Sequence, residues 1–271
     1  MTRVTGPNFT ISVTKKNKNI IEHNKELSIL ASQYGLSFMI EDKSNQEKKF
    51  FEYLFKDIAT DEISNKLLEI IKERPVLTDN YQKVKIIHHN RLNNIVPTKY
   101  FQNNKADLLL KQNVKVSEQD FIVPELIEDI DAVNIYVPFK NLGAFFHSNA
   151  KEVNNSHSAS VFFSQHKKIR NDYKKLFINE VFINLFPNDF QIAVYQNEKF
   201  ILYNHFEFDN EDEFLYYLFF IMETLELDKK DTRFFITGVD WFDKNIKNLK
   251  QFTENISLAK EKKLSRINNY I

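Results

Sequence analysis

The sequence predicts an α/β protein of two lobes, each a strand meander followed by a helix and a further strand. Three observations carry this expectation. Apolar runs at Leu27–Ala31 and Leu36–Ile40 flank Gln33-Tyr34-Gly35, a hairpin signal, and a helical period and another extended run follow. The same order returns after residue 176. With 271 residues and 42% hydrophobic content, the chain is long enough to bury a core in each half.

The elements can be justified in turn. Residues 1–26 are polar apart from Phe9-Thr10-Ile11-Ser12-Val13 and read as an arm. From Asp61 to Arg74 the apolar positions Ile63, Leu67, Leu68, Ile70 and Ile71 keep to one helical face, and Pro75 stops the helix. Val84, Ile86 and Ile87 mark a strand, and Ile95-Val96-Pro97 a second extended piece. Lys99 to Ile130 mixes short helical patterns with turns. A strand at Val133–Val137 ends at Pro138, with short helical material to about Ala150 and a helix from Ser158 to Tyr173. Three strands follow at Leu176–Leu185, Phe190–Tyr195 and Phe200–Phe206. Asp209 is placed to cap a long helix through Glu226, with acidic residues in its first turn as the helix dipole favours. Arg233–Thr237 reads as a strand ending at Gly238, Asp243–Phe252 as a helix and Ile256–Ala259 as a last edge strand. The expected organisation is an arm over 1–26, a first lobe over 27–130, a second over 131–259 and a basic tail over 260–271.

Composition excludes several chemistries. Cysteine is absent, so disulfides, thiolate metal sites and thiol catalysis are ruled out. Lys+Arg and Asp+Glu balance at 37 each, which argues against a general electrostatic grip on nucleic acid. Met1–Lys18 lacks the apolar core of a signal peptide, and no run is long enough to span a bilayer. The expectation is a cytoplasmic protein. Glycine is the most telling residue type: the chain has four, where average usage gives roughly nineteen. Glycine lets a backbone press its N–H groups against a phosphate, and this chain has little of it for such loops.

Several strings resemble an uncharacterised bacterial family, typical of Bacteroidetes, whose members have a degenerate actin-like ATPase (ribonuclease-H-like) fold. They are Glu26-Leu27-Ser28-Ile29, Gly35-Leu36-Ser37-Phe38, Asn94-Ile95-Val96-Pro97, Asn134-Ile135-Tyr136-Val137-Pro138, Tyr203-Asn204-His205-Phe206, Glu211–Tyr217 and Thr237-Gly238. The resemblance covers about residues 26–240 and implies a fold without an activity. It also says where nucleotide-binding pieces would stand. The first phosphate loop would be the first hairpin, where Ser32, Gln33 and Gly35 stand without a carboxylate. The second would be Asn184-Leu185-Phe186-Pro187-Asn188-Asp189, which has no glycine and a proline lacking an N–H. Asp189 is the one acid there, and an Asn-Asp pair also suits an ordinary turn. The adenosine loop would hold Thr237 and Gly238. All three read as vestigial, so no catalytic residue, metal or cofactor is expected.

The histidines add little at this level. His88 and His89 are adjacent on a strand and point to opposite faces, so they cannot share a metal. His147, His157 and His166 lack ligand spacing, and His205 reads as a polar group at a lobe interface. Phe214, Tyr217, Leu218, Ile221 and Leu225 form a core-facing stripe that Tyr216 and Phe220 widen toward a second contact. Lys260, Lys262, Lys263 and Arg266 make a solvated tail. The expected function is a non-catalytic scaffold or protein-interaction module with a protein partner. The alternative is a divergent kinase or ATPase of the same fold, and homo-oligomerisation stays open.

Overall fold

In the computed structural model, residues 24–172, 177–238, 249, 253 and 255–258 are described. The arm over residues 1–23, the helix expected at 243–252 (save Leu249) and the basic tail lie outside them. The first sheet begins with a meander of β1 (Lys25–Ser32), β2 (Gly35–Asp42) and β3 (Glu47–Leu54). Helix α1 (Ile63–Glu73) leads into β4 (Tyr81–His88), which runs parallel to β1. A fifth strand, β8 (Ala150–His157), runs parallel to β4 and completes the order β3-β2-β1-β4-β8.

Between β4 and β8 the chain builds a small antiparallel sheet from β5 (Asn93–Pro97), β6 (Val123–Ile127) and β7 (Ala132–Tyr136), ordered β5-β7-β6. Helix α2 (Ala106–Lys111) covers it through Leu110, which packs with Val96, Val133 and Ile135. The lobe boundary expected at residue 130 falls in the β6–β7 connection. The first five-stranded sheet takes its last strand from beyond it.

The second sheet repeats the plan. After α3 (Ser158–Asp172), strands β9 (Asn179–Leu185), β10 (Asp189–Gln196) and β11 (Lys199–Glu207) form a meander. Helix α4 (Glu211–Thr224) then precedes β12 (Thr232–Gly238) and the edge strand β13 (Ile256–Leu258). The order is β11-β10-β9-β12-β13, with β12 parallel to both neighbours. Two details differ from the sequence expectation. Strands β3, β6 and β8 were not foreseen. The cap of α4 is Asn210, one residue later than Asp209: its extended backbone (φ −152°) lets its side chain accept from Glu213 N–H, while the Glu213 carboxylate accepts from Asp209 N–H.

Strand alternation fixes what each sheet face meets. In the second sheet Val181, Ile183, Phe190, Ile192, Phe234 and Ile236 point to α4 and meet Phe214, Leu218 and Ile221. In the first, Leu27, Ile29, Phe38, Val84 and Ile86 pack on α1 through Ile63, Leu67 and Ile70. The two remaining faces look toward each other with α3 between them. Val161 of α3 joins Leu30, Met39 and Ile87 of the first sheet, and Phe162 and Phe163 join Phe182, Ala193 and Phe235 of the second. Phe186, from the turn after β9, reaches the first-sheet group as well.

Candidate functional site at the lobe interface

The inner faces are apolar where α3 lies and polar where the strands end. At the carboxyl ends of the parallel strands stand Ser32 (β1), His88 and His89 (β4), His157 and Ser158 (β8 into α3), Asn184 (β9) and Thr237 (β12). That edge is where open α/β sheets hold ligands. The β10–β11 register adds to it: Gln191 lies opposite His205 and Asp189 opposite Glu207, so Asp189 and His205 are diagonal neighbours on one face.

Asp189 is the centre of the group. His89 Nε2 and His205 Nε2 each lie 2.9 Å from the same Oδ1 of Asp189, one imidazole coming from each lobe. All three side chains are at least nine-tenths buried. The other nitrogen of His89 lies 3.0 Å from Ser158 Oγ, which accepts from Gln191 Nε2 at 2.8 Å. Asn184 Nδ2 donates to Gln191 Oε1, and Thr237 Oγ1 donates to Asn184 Oδ1. Side-chain hydrogen bonds therefore run unbroken from the end of β4 to the end of β12. The His89 ring also lies on Phe186, with centroids 3.9 Å apart.

The electrostatics follow from this geometry. Burial by itself would raise the pKa of the Asp189 carboxyl, but His89 and His205, by charge and hydrogen bond, hold it well below the usual carboxylate range. Removing either imidazole would leave a buried anion undercompensated, a loss of a few kcal/mol (~3–5). The neighbouring histidines play a different part. His88 accepts from Phe139 N–H at Nδ1 and bonds Asn155 at Nε2, and burial lowers its pKa to about 4. His157 accepts from Ala159 N–H in the first turn of α3 and donates to the Asn90 carbonyl, and burial holds it well below the ordinary value. Both are neutral structural groups. At the rim, Arg91 and Glu207 pair at 2.8 Å with about half of each side chain exposed, a contact worth ~1 kcal/mol or less.

The residues singled out from the sequence separate into three groups. Ser32 and Gly35 close the first hairpin on itself: Tyr34 N–H donates to Ser32 Oγ, and Ser32 O–H donates to the Gly35 carbonyl. Gly35 is required by packing, because a Cβ there would stand 2.5 Å from the Tyr53 carbonyl oxygen. Gln33 donates to the Ile58 carbonyl in a half-buried contact. In the second hairpin, Phe186 N–H donates to the Asp189 carbonyl and the Asn188 carbonyl accepts from Phe208 N–H, with Pro187 between them. Asp189 closes that turn with its carbonyl at the start of β10, while its side chain is buried in the lobe interface. Thr237 belongs to the polar chain. Gly238 has φ +131°, and a Cβ on it would lie 2.2 Å from the Leu185 carbonyl oxygen, so only glycine fits.

Sequence reasoning missed the meeting of His89, Asp189 and His205. His205 was placed at an interface, and His88 and His89 do face different surroundings, as strand geometry requires. No linear spacing joins residue 89 to residue 189. The hairpin register was the available signal, since it sets His205 diagonally across from Asp189.

Residues 14–256 match the family described as a protein of unknown function (DUF3822). The chain belongs to this family. No curated protein matches it. Among solved structures, a Bacteroides thetaiotaomicron protein with an actin-like ATPase fold and unknown function is 18% identical. It aligns over 91% of this chain and 95% of its own, with a TM-score of 0.76. The PilM–PilN type IV pilus biogenesis complex aligns at 7% identity over 90% of this chain and 89% of its own, with a TM-score of 0.56. This family member therefore has the actin-like ATPase fold. Among its described residues, no helix is long and apolar enough to cross a membrane.

Proposed function

We propose that this chain is a non-catalytic, cytoplasmic actin-like scaffold that holds its two lobes together with its own side chains in place of a nucleotide and presents its surface to a protein partner. The first lobe in this reading runs through β8 and includes the small sheet, the second begins at β9, and α3 joins them. The observation that carries the reading is Asp189. The acid nearest the second phosphate hairpin is engaged by His89 from the opposite lobe and by His205 from its own. Both hairpins use amides internally, at Tyr34 and at Phe186, that a phosphate cradle would need as donors. Without donors aimed at the phosphates, phosphoryl transfer loses its main source of barrier lowering. The fold's occurrence in a complex named for two proteins, PilM and PilN, supports an interaction role.

Isothermal titration of the full chain with Mg·ATP and with Mg·ADP tests the reading. The expected result is no binding. A dissociation constant in the micromolar range for either nucleotide defeats it.

A further inference from the structure

The three side chains at the lobe interface have a chemistry that hydrogen bonding does not exhaust. His89 Nε2, His205 Nε2 and an Asp189 carboxylate oxygen each offer one ligand atom, and the three lie within 4.8 Å of one another. The two imidazoles do not stack face to face: their centroids are 5.0 Å apart with planes at 46°, and both Nε2 edges converge on one carboxylate oxygen. Ligand atoms around a tetrahedral ion with bonds of 2.0–2.1 Å stand about 3.3 Å apart. The two 2.9 Å separations from the carboxylate oxygen are within a few tenths of an ångström of that, and the two imidazole nitrogens, within 4.8 Å of each other, would draw together on an ion.

We propose that His89, Asp189 and His205 form a transition-metal site that joins the two lobes and takes a divalent ion of the zinc class. Two imidazoles and one carboxylate suit zinc and its first-row neighbours, whereas magnesium and calcium favour all-oxygen shells. The surroundings have the form such a site needs. With Nε2 on the metal, the proton of His89 moves to Nδ1 and is donated to Ser158 Oγ, which Gln191 already holds in place. That is the outer hydrogen bond that fixes a ligating imidazole. Among the described residues the Asp189 contact is the one hydrogen bond of the His205 ring, so a metal would take the place of a single bond, with the ring proton passing to the buried Nδ1. Charge favours the exchange as well. The buried Asp189 anion needs a cation beside it, and a divalent ion at the convergence point supplies one without protonating either ring. His88 and His157 take no part, because both nitrogens of each are engaged elsewhere.

The ion would tie the end of β4 to the β10–β11 hairpin and would act independently of whether a nucleotide binds. A Mg·ATP titration decides the scaffold reading and a zinc titration decides this one. The full chain is stripped with a chelator, exchanged into chelator-free buffer and titrated with Zn²⁺. The expected result is one ion per chain with a sub-micromolar dissociation constant, a raised thermal midpoint, and no matching response to Mg²⁺. Co²⁺ should give the intense visible absorption of a tetrahedral nitrogen–oxygen site. His205→Ala should weaken zinc binding at least a hundredfold, while His147→Ala, at an exposed histidine, should leave it unchanged. Where His205→Ala does not fold, the cobalt spectrum of the unaltered chain decides. Failure of the wild-type chain to bind Zn²⁺ below 10 μM, equal binding by a folded His205→Ala variant, or a purely octahedral cobalt spectrum overturns the proposal.

Discussion

The two five-stranded sheets share a strand order and the position of their covering helix, yet they treat their inner ends differently. The first ends in a hairpin that satisfies itself, with Ser32 bonding Tyr34 N–H and the Gly35 carbonyl. The second sends its hairpin residues across the interface: Phe186 packs among Leu30, Met39 and Ile87, and Asp189 receives His89. The outer faces are interchangeable in kind, since each needs only alternating apolar residues against an amphipathic helix. The inner ends are not. The lesson is that the frame of a duplicated fold is fixed by hydrophobic pattern, while the place where its halves meet is fixed by individual polar residues.

The largest effect expected from testing this contrast is at the two glycines that end it. Gly238→Ala combines an unfavourable positive φ with a Cβ driven into the Leu185 carbonyl. It should cost about 3 kcal/mol or more, read from urea midpoints. Gly35→Ala meets the Tyr53 carbonyl at 2.5 Å without the φ penalty and should cost less. A Gly35 variant as damaged as the Gly238 variant would erase the difference between the lobes.

Next comes acid sensitivity, which should belong partly to the second lobe. His166 on α3 is stacked on Phe182 and bonded to the Tyr195 hydroxyl, and burial first, then Arg170, keeps its pKa well below the ordinary value. With the folded pKa depressed below that of the unfolded chain, near 6.5, stability is unaffected above pH 6.5. It falls as the pH drops below that point, because only the unfolded chain takes up the proton. His166→Phe should therefore lose about 1 kcal/mol less than the wild type between pH 7 and 5.5 in denaturant titrations. Identical pH profiles for the two proteins would remove His166 as a source of the effect.

The smallest effect is expected at the rim. Arg91→Ala breaks the exposed pair with Glu207 and should change stability by no more than about 0.5 kcal/mol, and less at high salt. A loss of 2 kcal/mol would mean that the lobes are held at their surface instead of by the buried His89–Asp189 contact.

Much of the frame was legible because its strands alternate or run apolar, as β9 and β10 do, and because α1 and α4 keep a helical period. β8 escaped notice because Ala-Lys-Glu-Val-Asn-Asn-Ser-His offers two apolar residues, Ala150 and Val153, and takes its shape from the parallel ladder with β4. β3 was hidden by its charges, which suit an edge strand. Of the site, the hairpin positions could be marked from the chain alone, including Asp189. What Asp189 touches could not, because His89 lies 100 residues away and arrives only once both sheets have formed.

Helix α3 has a mechanical consequence. Val161 is seated in one sheet, while its neighbours Phe162 and Phe163 are seated in the other. A hinge movement that opened the halves like a clamshell would unseat at least one of these groups and expose aromatic surface to water. Among the described residues, α3 thus ties the two inner faces together, and parting them would give up apolar burial on at least one side.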